Sequence, residues 1–239
     1  MLAISSGTAF RPVRSQQPAT GLLRNIADGA AVLRAHPQAL RLVGADITCS
    51  LVYGMQTVLL LLVSSRTGLG LHGYGYLFAG LGAGGLMGTA LASRALRSPH
   101  PRAVLVTALT AVGLPKPLLA ITGWPMVAIA LVSVTGAGAI LVEILTETAL
   151  QRMLPPDMFG RAYGLALPAS LGGIVAGSLI APLLTSLVGG AGALVACGVV
   201  VGRYALQLRH AARRRPGRAM SQPEVTTTDE RLVTALSEA

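Results

Sequence analysis

The chain has 239 residues, of which 52% are hydrophobic and only 12% are charged. Because a soluble domain carries about 25% charged residues, this composition argues against a water-soluble fold and indicates a helical membrane protein. The net charge is +10. The arginines lie between apolar runs without interleaved aromatic side chains, so we interpret this charge as setting membrane topology and not as a nucleic-acid-binding surface.

The first 38 residues precede the long apolar runs. Residues 1–20 are rich in serine, proline and glutamine, which predicts a poorly ordered cytoplasmic lead-in. Residues 21–36 carry apolar side chains at helical spacing, and Pro37 marks the end of this amphipathic segment. It is either a helix lying at the membrane interface or an ordinary linker helix. Its apolar face consists of Leu22, Ile26, Ala30 and Leu33.

Six apolar runs follow, each close to the length of about 20 residues that crosses a bilayer as a helix. They predict an all-α integral membrane domain over residues 39–208. The predicted spans are 40–63, 71–93, 102–122, 125–147, 162–186 and 189–208. Small residues four apart let two helices approach closely, and the second and fifth spans contain such glycines. These glycines are Gly80, Gly84, Gly88, Gly173 and Gly177.

Arginines alternate between the two ends of the predicted spans. The lead-in, the second-to-third and fourth-to-fifth connections and the tail are rich in arginine, whereas the other three connections hold only Arg66. By the positive-inside rule, both termini are cytoplasmic. Residues 209–239 are predicted to form a basic, then polar, disordered cytoplasmic tail.

Three carboxylates lie inside predicted spans, where a charge is costly and therefore a functional candidate. Asp46 is either a protonation or substrate site, or a structural hydrogen-bond partner of a neighbouring helix. Glu143 and Glu147 are four residues apart and so share one helix face. Glu147 is predicted to form an ion-pair latch at the cytoplasmic gate, and Glu143 is either part of that latch or a proton carrier. The arginines on the same side of the membrane are Arg94, Arg97, Arg152 and Arg161.

Two further polar residues lie in the outer halves of the spans. Gln56 in the first span is a candidate uncharged contact for a substrate. Lys116 lies between two prolines near the end of the third span, and we predict that its side chain extends to the membrane interface. An alternative is that its charge attracts an anionic substrate.

The chain offers no catalytic or metal-binding pattern. A Walker loop, a nucleophile elbow and a dinucleotide-binding glycine motif are absent from any suitable strand and helix context. The two cysteines, Cys49 and Cys197, both lie in apolar runs and are interpreted as small core residues. We therefore predict a protein that is not an enzyme and that needs no metal or cofactor.

Several motifs in sequence order carry a family resemblance. The amphipathic lead-in ends at His36-Pro37, the second span opens with residues 73–76 (GYGY), and a polar loop precedes the fifth span. The residues of that loop are Glu147, Gln151, Arg152, Pro155, Gly160 and Arg161. Over residues 21–208 the chain resembles the C-terminal half of a major facilitator superfamily transporter, from the bacterial efflux branch of enterobactin-exporter-like proteins.

The resemblance implies a fold, a function and partners. The fold would be six helices arranged as two inverted three-helix repeats, which is half of a complete transporter. The function would be proton-coupled efflux of a small molecule across the bacterial plasma membrane. A second six-helix half or a homodimer partner in the lipid bilayer would complete the protein. The alternative is an orphan half without transport activity of its own, either a membrane subunit or a gene remnant.

Overall fold

In the computed structural model, residues 22–213 are described, and they form helices joined by short connections. The predicted lead-in over 1–20 and nearly all of the predicted tail lie outside these residues. Most of the helices begin with a proline. Proline has no backbone N–H, and in the first turn of a helix that group would have no intrahelical partner, so nothing is lost there. The helices are α1 (Leu22–Ala35), α2 (Pro37–Arg66), α3 (Gly70–Leu96), α4 (Pro101–Gly113), α5 (Pro115–Ile121), α6 (Pro125–Met153) and α7 (Pro156–Arg213).

Five helical stretches are long and apolar enough to cross a membrane. Helices α4 and α5 act as one of them, because Leu114 between them keeps helical backbone angles (φ −62°, ψ −38°). Many large apolar side chains point away from the bundle, with Leu86, Ile121 and Leu179 each more than 70% exposed. Such a surface suits lipid and would promote aggregation in water.

The last stretch, Met158–Ala211, is counted as one helix of 54 residues. A straight helix of that length would extend about 80 Å, far more than a bilayer core of about 30 Å. The stretch is broken at Gly189, where φ is 72° and ψ is 168°, a conformation that side chains other than glycine rarely adopt. We name the two arms α7a (156–188) and α7b (190–213).

The two arms run in opposite directions along α2. In α7a, Ser170 contacts Asp46 and Ser178 contacts Gly54, so this arm is parallel to α2. In α7b, the order is reversed along α2. Gly190 lies beside Leu62, Cys197 beside Met55 and Tyr204 beside Arg41. The break at Gly189 is therefore a hairpin, and it falls at the first residue of the sixth predicted span, just after the fifth one ends at 186.

Glycines form the closest helix contacts at two interfaces. Between α3 and α6, a Cβ added to Gly84 would lie 1.9 Å from the carbonyl oxygen of Ser133. Between α2 and α7a, a Cβ added to Gly177 would lie 2.0 Å from the carbonyl oxygen of Leu51. No side chain fits at either position unless the helices separate, so both backbones depend on glycine for their approach.

The two interfaces have the same residue spacing. One turn before Gly84, Gly80 meets Ile129, which is one turn before Ser133. In the same way, Gly173 meets Ile47 one turn before the contact between Gly177 and Leu51. Gly88 continues the first interface against Ala137. The pairing of α3 with α6 thus repeats the pairing of α7a with α2.

Helix α1 packs against the bundle instead of standing apart from it. A Cβ on Gly29 would lie 2.7 Å from the carbonyl oxygen of Arg161 at the start of α7a. Leu33 is buried in a small apolar cluster with Val43 and Leu150. This cluster fixes α1 at the end of the bundle where α6 finishes and α7a begins.

Candidate functional site

A cavity of about 340 Å³ lies between α2, α6 and α7a. Asp46 of α2 and both glutamates of α6, Glu143 and Glu147, line it. Most of the remaining wall is apolar, and none of its described lining residues is basic. The structure therefore brings together all three carboxylates that the sequence placed inside spans, and within residues 22–213 it gives them no cationic partner in this cavity. We refer to it as the acidic cavity.

Asp46 is held by a side chain of α7a. The hydroxyl of Ser170 donates a hydrogen bond to Oδ2 of Asp46 over 2.5 Å, and Ser170 is 7% exposed. The parallel packing of α7a on α2 at Gly173 and Gly177 sets this contact. Asp46 is only half-buried, so the carboxylate keeps open access to the cavity while one oxygen is fixed.

Glu147 accepts a hydrogen bond from the Tyr163 hydroxyl, 2.9 Å from its Oε1. Tyr163 is oriented by stacking on Phe159, one turn earlier in α7a. The ion-pair latch predicted for Glu147 is not formed in this conformation among the residues that the structure describes. Its four candidate arginines are exposed and none lines the acidic cavity.

Glu143 and Thr146 complete the α6 side of the cavity. Glu143 is exposed, and it lies about 15 Å from the end of α6 at Met153. Thr146 is only 3% exposed and its Oγ1 has no hydrogen-bond partner in the described part of the chain. A buried hydroxyl without a partner is unusual, and this one lies in the wall of the acidic cavity with its oxygen atom fully covered.

Lys116 corrects the prediction that its side chain extends to the membrane interface. Its side chain is fully buried, and Nζ donates a hydrogen bond to Oε1 of Gln56 on α2. Helix α5 turns the side chain inward, against α7b, where Gly198 leaves room for it. Gln56, predicted as a substrate contact, is itself 4% exposed and does not line the acidic cavity. The two residues instead form a closed pair within the helix core.

Sequence reasoning missed the hydroxyl groups of the acidic cavity. Ser170 and Thr146 look like ordinary small residues in apolar helices, and Tyr163 looks like a residue at the start of a span. Ser170 lies 124 positions from Asp46 along the chain, and no local pattern links the two. The one signal in the sequence was the hydroxyl of Tyr163, which lies 16 positions after Glu147 and could have suggested a hydrogen bond between the two.

The residues lining the acidic cavity suit a proton or an organic cation better than a metal ion. Carboxylates without basic partners attract positive charge, and their apolar surroundings strengthen that attraction. Within residues 22–213, no group of three histidine, cysteine or acidic side chains is placed to hold a metal ion.

Together, the apolar helices and the acidic cavity define a polytopic helical membrane protein with an ionisable internal site. A family model described as a transmembrane secretion effector matches residues 13–234, which is almost the whole chain. The protein belongs to this family of the major facilitator superfamily. Membership supports a membrane transporter, not an enzyme, and agrees with the family resemblance at the level of the superfamily. Neither the curated proteins nor the solved structures gave a match.

Proposed function

We propose that this chain is one half of a secondary transporter that exports a small molecule across the bacterial plasma membrane in exchange for protons. The observation that carries the proposal is the acidic cavity, in which Asp46, Glu143 and Glu147 meet with no basic residue among the described residues of the wall. A carboxylate at membrane depth is costly to keep charged. It can be neutralised by a proton or by a bound cation, and the same group then serves both in turn.

The lining of the acidic cavity indicates the chemistry of the substrate. Its apolar wall suits an organic molecule with an apolar body, and its carboxylates suit a positively charged amine. We therefore propose an amine-bearing apolar substrate that competes with protons for Asp46 and Glu143.

The equivalent interfaces support six spans arranged as two inverted three-helix repeats. The first repeat would comprise α2, α3 and α4 with α5, and the second α6, α7a and α7b. In an inverted repeat of this kind, α2 corresponds to α6, and α3 corresponds to α7a. The interface between α2 and α7a therefore corresponds to the interface between α6 and α3, and these two interfaces share one glycine spacing. The transport movement would then be rocking of this bundle against a second one around the midplane cavity.

The exposed position of Glu143 supports the proposal that this chain functions together with a second helix bundle. Its side chain lies on the outer surface of the described helices and well inside the membrane span. A lipid-facing carboxylate at that depth would be expensive. A second six-helix half, or a second copy of this chain, would cover the face and enclose the acidic cavity with water or substrate.

The arginines remain candidates for the cytoplasmic gate in another conformation. Arg94, Arg97, Arg152 and Arg161 lie at ends of helices that the positive-inside rule places in the cytoplasm, together with both termini. When the cavity faces outward, one of them could replace the Tyr163 hydroxyl as the partner of Glu147. This exchange would couple closure of the gate to the charge state of the acidic cavity.

Transport in vesicles containing the assembled protein tests the proposal. We expect a pH gradient to drive movement of ethidium, an apolar organic cation, and we expect Asp46→Asn to abolish most of this movement, because an intramembrane carboxylate is a candidate proton carrier. Asp28→Asn, which removes a carboxylate outside the predicted spans, is the matched control. Unchanged transport by the Asp46 variant would remove this residue from the mechanism. A well-folded assembly that moves no cation would favour the orphan-half alternative.

A further inference from the structure

A second cavity, of about 290 Å³, lies at the ends of α2, α4, α6 and α7b. Three arginines from three different helices line it: Arg41 of α2, Arg102 of α4 and Arg152 of α6. None of the described residues that line it is acidic. We refer to it as the basic cavity. It shares no lining residue with the acidic cavity.

Two of the three arginines lie at helix ends that add to the positive potential of the basic cavity. Arg102 is in the first turn of α4, where unpaired backbone N–H groups add to the positive field, and Arg41 lies near the beginning of α2. Arg152 lies in the last turn of α6, where its charge complements the negative end of the helix dipole. Three guanidinium groups around one small cavity repel one another, and an anion between them would remove that repulsion.

The rest of the wall is mostly apolar. Leu42, Leu105 and Leu145 belong to the sides of the basic cavity, and Gln38 and Thr148 are its other polar members. The cavity thus combines a charged rim with an apolar interior. A freely diffusing anion would gain only from the rim, whereas an amphiphile would gain from both parts.

We propose that the basic cavity binds the phosphate headgroup of an anionic phospholipid from the cytoplasmic leaflet. Arginine is suited to this ligand, because its planar guanidinium donates paired hydrogen bonds to phosphate oxygens. Basic cavities between membrane helices on the cytoplasmic side are where such headgroups bind. The lipid would bridge α2, α4 and α6, and this binding does not depend on whether the protein transports anything.

Native mass spectrometry of the full chain in detergent tests the proposal with phosphatidylglycerol and with phosphatidylcholine carrying the same acyl chains. We expect retention of one phosphatidylglycerol per chain and little retention of phosphatidylcholine. The variant with Arg41→Gln, Arg102→Gln and Arg152→Gln should bind phosphatidylglycerol on the order of a hundredfold more weakly, since each surface arginine contributes roughly a factor of five.

The matched control removes the same charge elsewhere on the cytoplasmic side, with Arg94→Gln, Arg97→Gln and Arg203→Gln. These three arginines are exposed and do not line the basic cavity, so the control should retain the lipid. Equal loss in both triple variants would show a general charge effect and overturn the proposal, as would equal retention of the two lipids.

Two further measurements separate a lipid headgroup from a free anion and from misfolding. Inorganic phosphate at millimolar concentration should not displace phosphatidylglycerol, and displacement would overturn the assignment to lipid. The variant with lysine in place of all three cavity arginines keeps the charge but not the paired hydrogen bonds. We expect it to bind with intermediate affinity. Binding as weak as that of the glutamine variant would contradict a charge-dependent site.

Discussion

The protein holds ionisable groups inside its membrane helices at two sites that differ in one respect. The acidic cavity is open, and among the described residues Asp46 is bonded to the hydroxyl of Ser170 and Glu147 to that of Tyr163. The site of Lys116 is closed, and its amine is fully buried against Gln56. An open charged group can exchange partners during a reaction cycle, whereas a closed one must keep the partner with which it folded. The proposed transport function accordingly uses the first site, and we propose that the second serves structural specificity.

The largest effect is expected where the closed site is broken. Gln56→Leu leaves the buried Lys116 amine without its hydrogen-bond acceptor, and an unsatisfied buried donor costs about 1–3 kcal/mol, or more when the group carries a charge. The midpoint of thermal unfolding in detergent should fall accordingly. The double variant Gln56→Leu with Lys116→Met removes both polar groups and should recover most of the loss. A double variant as unstable as the single one would show that the pair does not act as a unit.

A somewhat smaller effect is expected where the packing that shapes the acidic cavity is lost. Gly177→Val places side-chain atoms against the backbone of Leu51, and overpacking of this kind costs about 1–3 kcal/mol or more. Separation of α7a from α2 should also release Asp46 from Ser170. Gly172→Val is the control in the same helix, because nothing lies within 4 Å of its added Cβ. Thermal unfolding of the two variants in the same detergent measures the difference, and equal stability would contradict the close approach.

A modest effect is expected at the open site itself. Tyr163→Phe removes the hydrogen bond to Glu147, which is worth about 1 kcal/mol at a partly exposed position. The free energy of unfolding should therefore change little, whereas the rate of transport should fall by a larger factor, because the gate would lose its contact with Glu147. Tyr76→Phe, at an exposed position of α3, provides the comparison. If the two variants were indistinguishable in transport, the Tyr163 contact would have no role in the gate.

The smallest effect is expected outside both sites. Arg97 is exposed at the end of α3, and surface substitutions of this type stay within about 0.5 kcal/mol. Arg97→Gln should unfold at nearly the wild-type temperature. A large loss of stability would reveal an ion pair that this conformation does not contain.

The carboxylates of the acidic cavity could be predicted from the sequence because charged residues are rare within membrane spans. A bilayer tolerates few charges, so Asp46, Glu143 and Glu147 stood out in apolar sequence, and the helical period placed the two glutamates on one face. The glycine pairs and the boundary near Gly189 could be predicted for a similar reason, since small residues and breaks interrupt regular apolar runs.

The partners of those residues could not be predicted, because they depend on how distant helices pack. Ser170 resembles any other small residue of its span, and only the register of α7a against α2 places it beside Asp46. Lys116 was misjudged for a related reason. Its position between two prolines indicated a helix end near water, but the short helix α5 continues the span and turns the side chain into the core.

The connections at the end of the bundle opposite the arginine clusters are very short. Among the described residues they are the turn at 67–69, the turn at 122–124 and the hairpin at Gly189. If that end faces the outside of the cell, the short connections would give an antibody, a protease or a membrane-impermeant label very little exposed chain to bind or react with. Detection or capture of this protein on intact cells would then require a tag inserted into one of the two three-residue turns, because the hairpin is a break at the single residue Gly189 and offers no connecting loop.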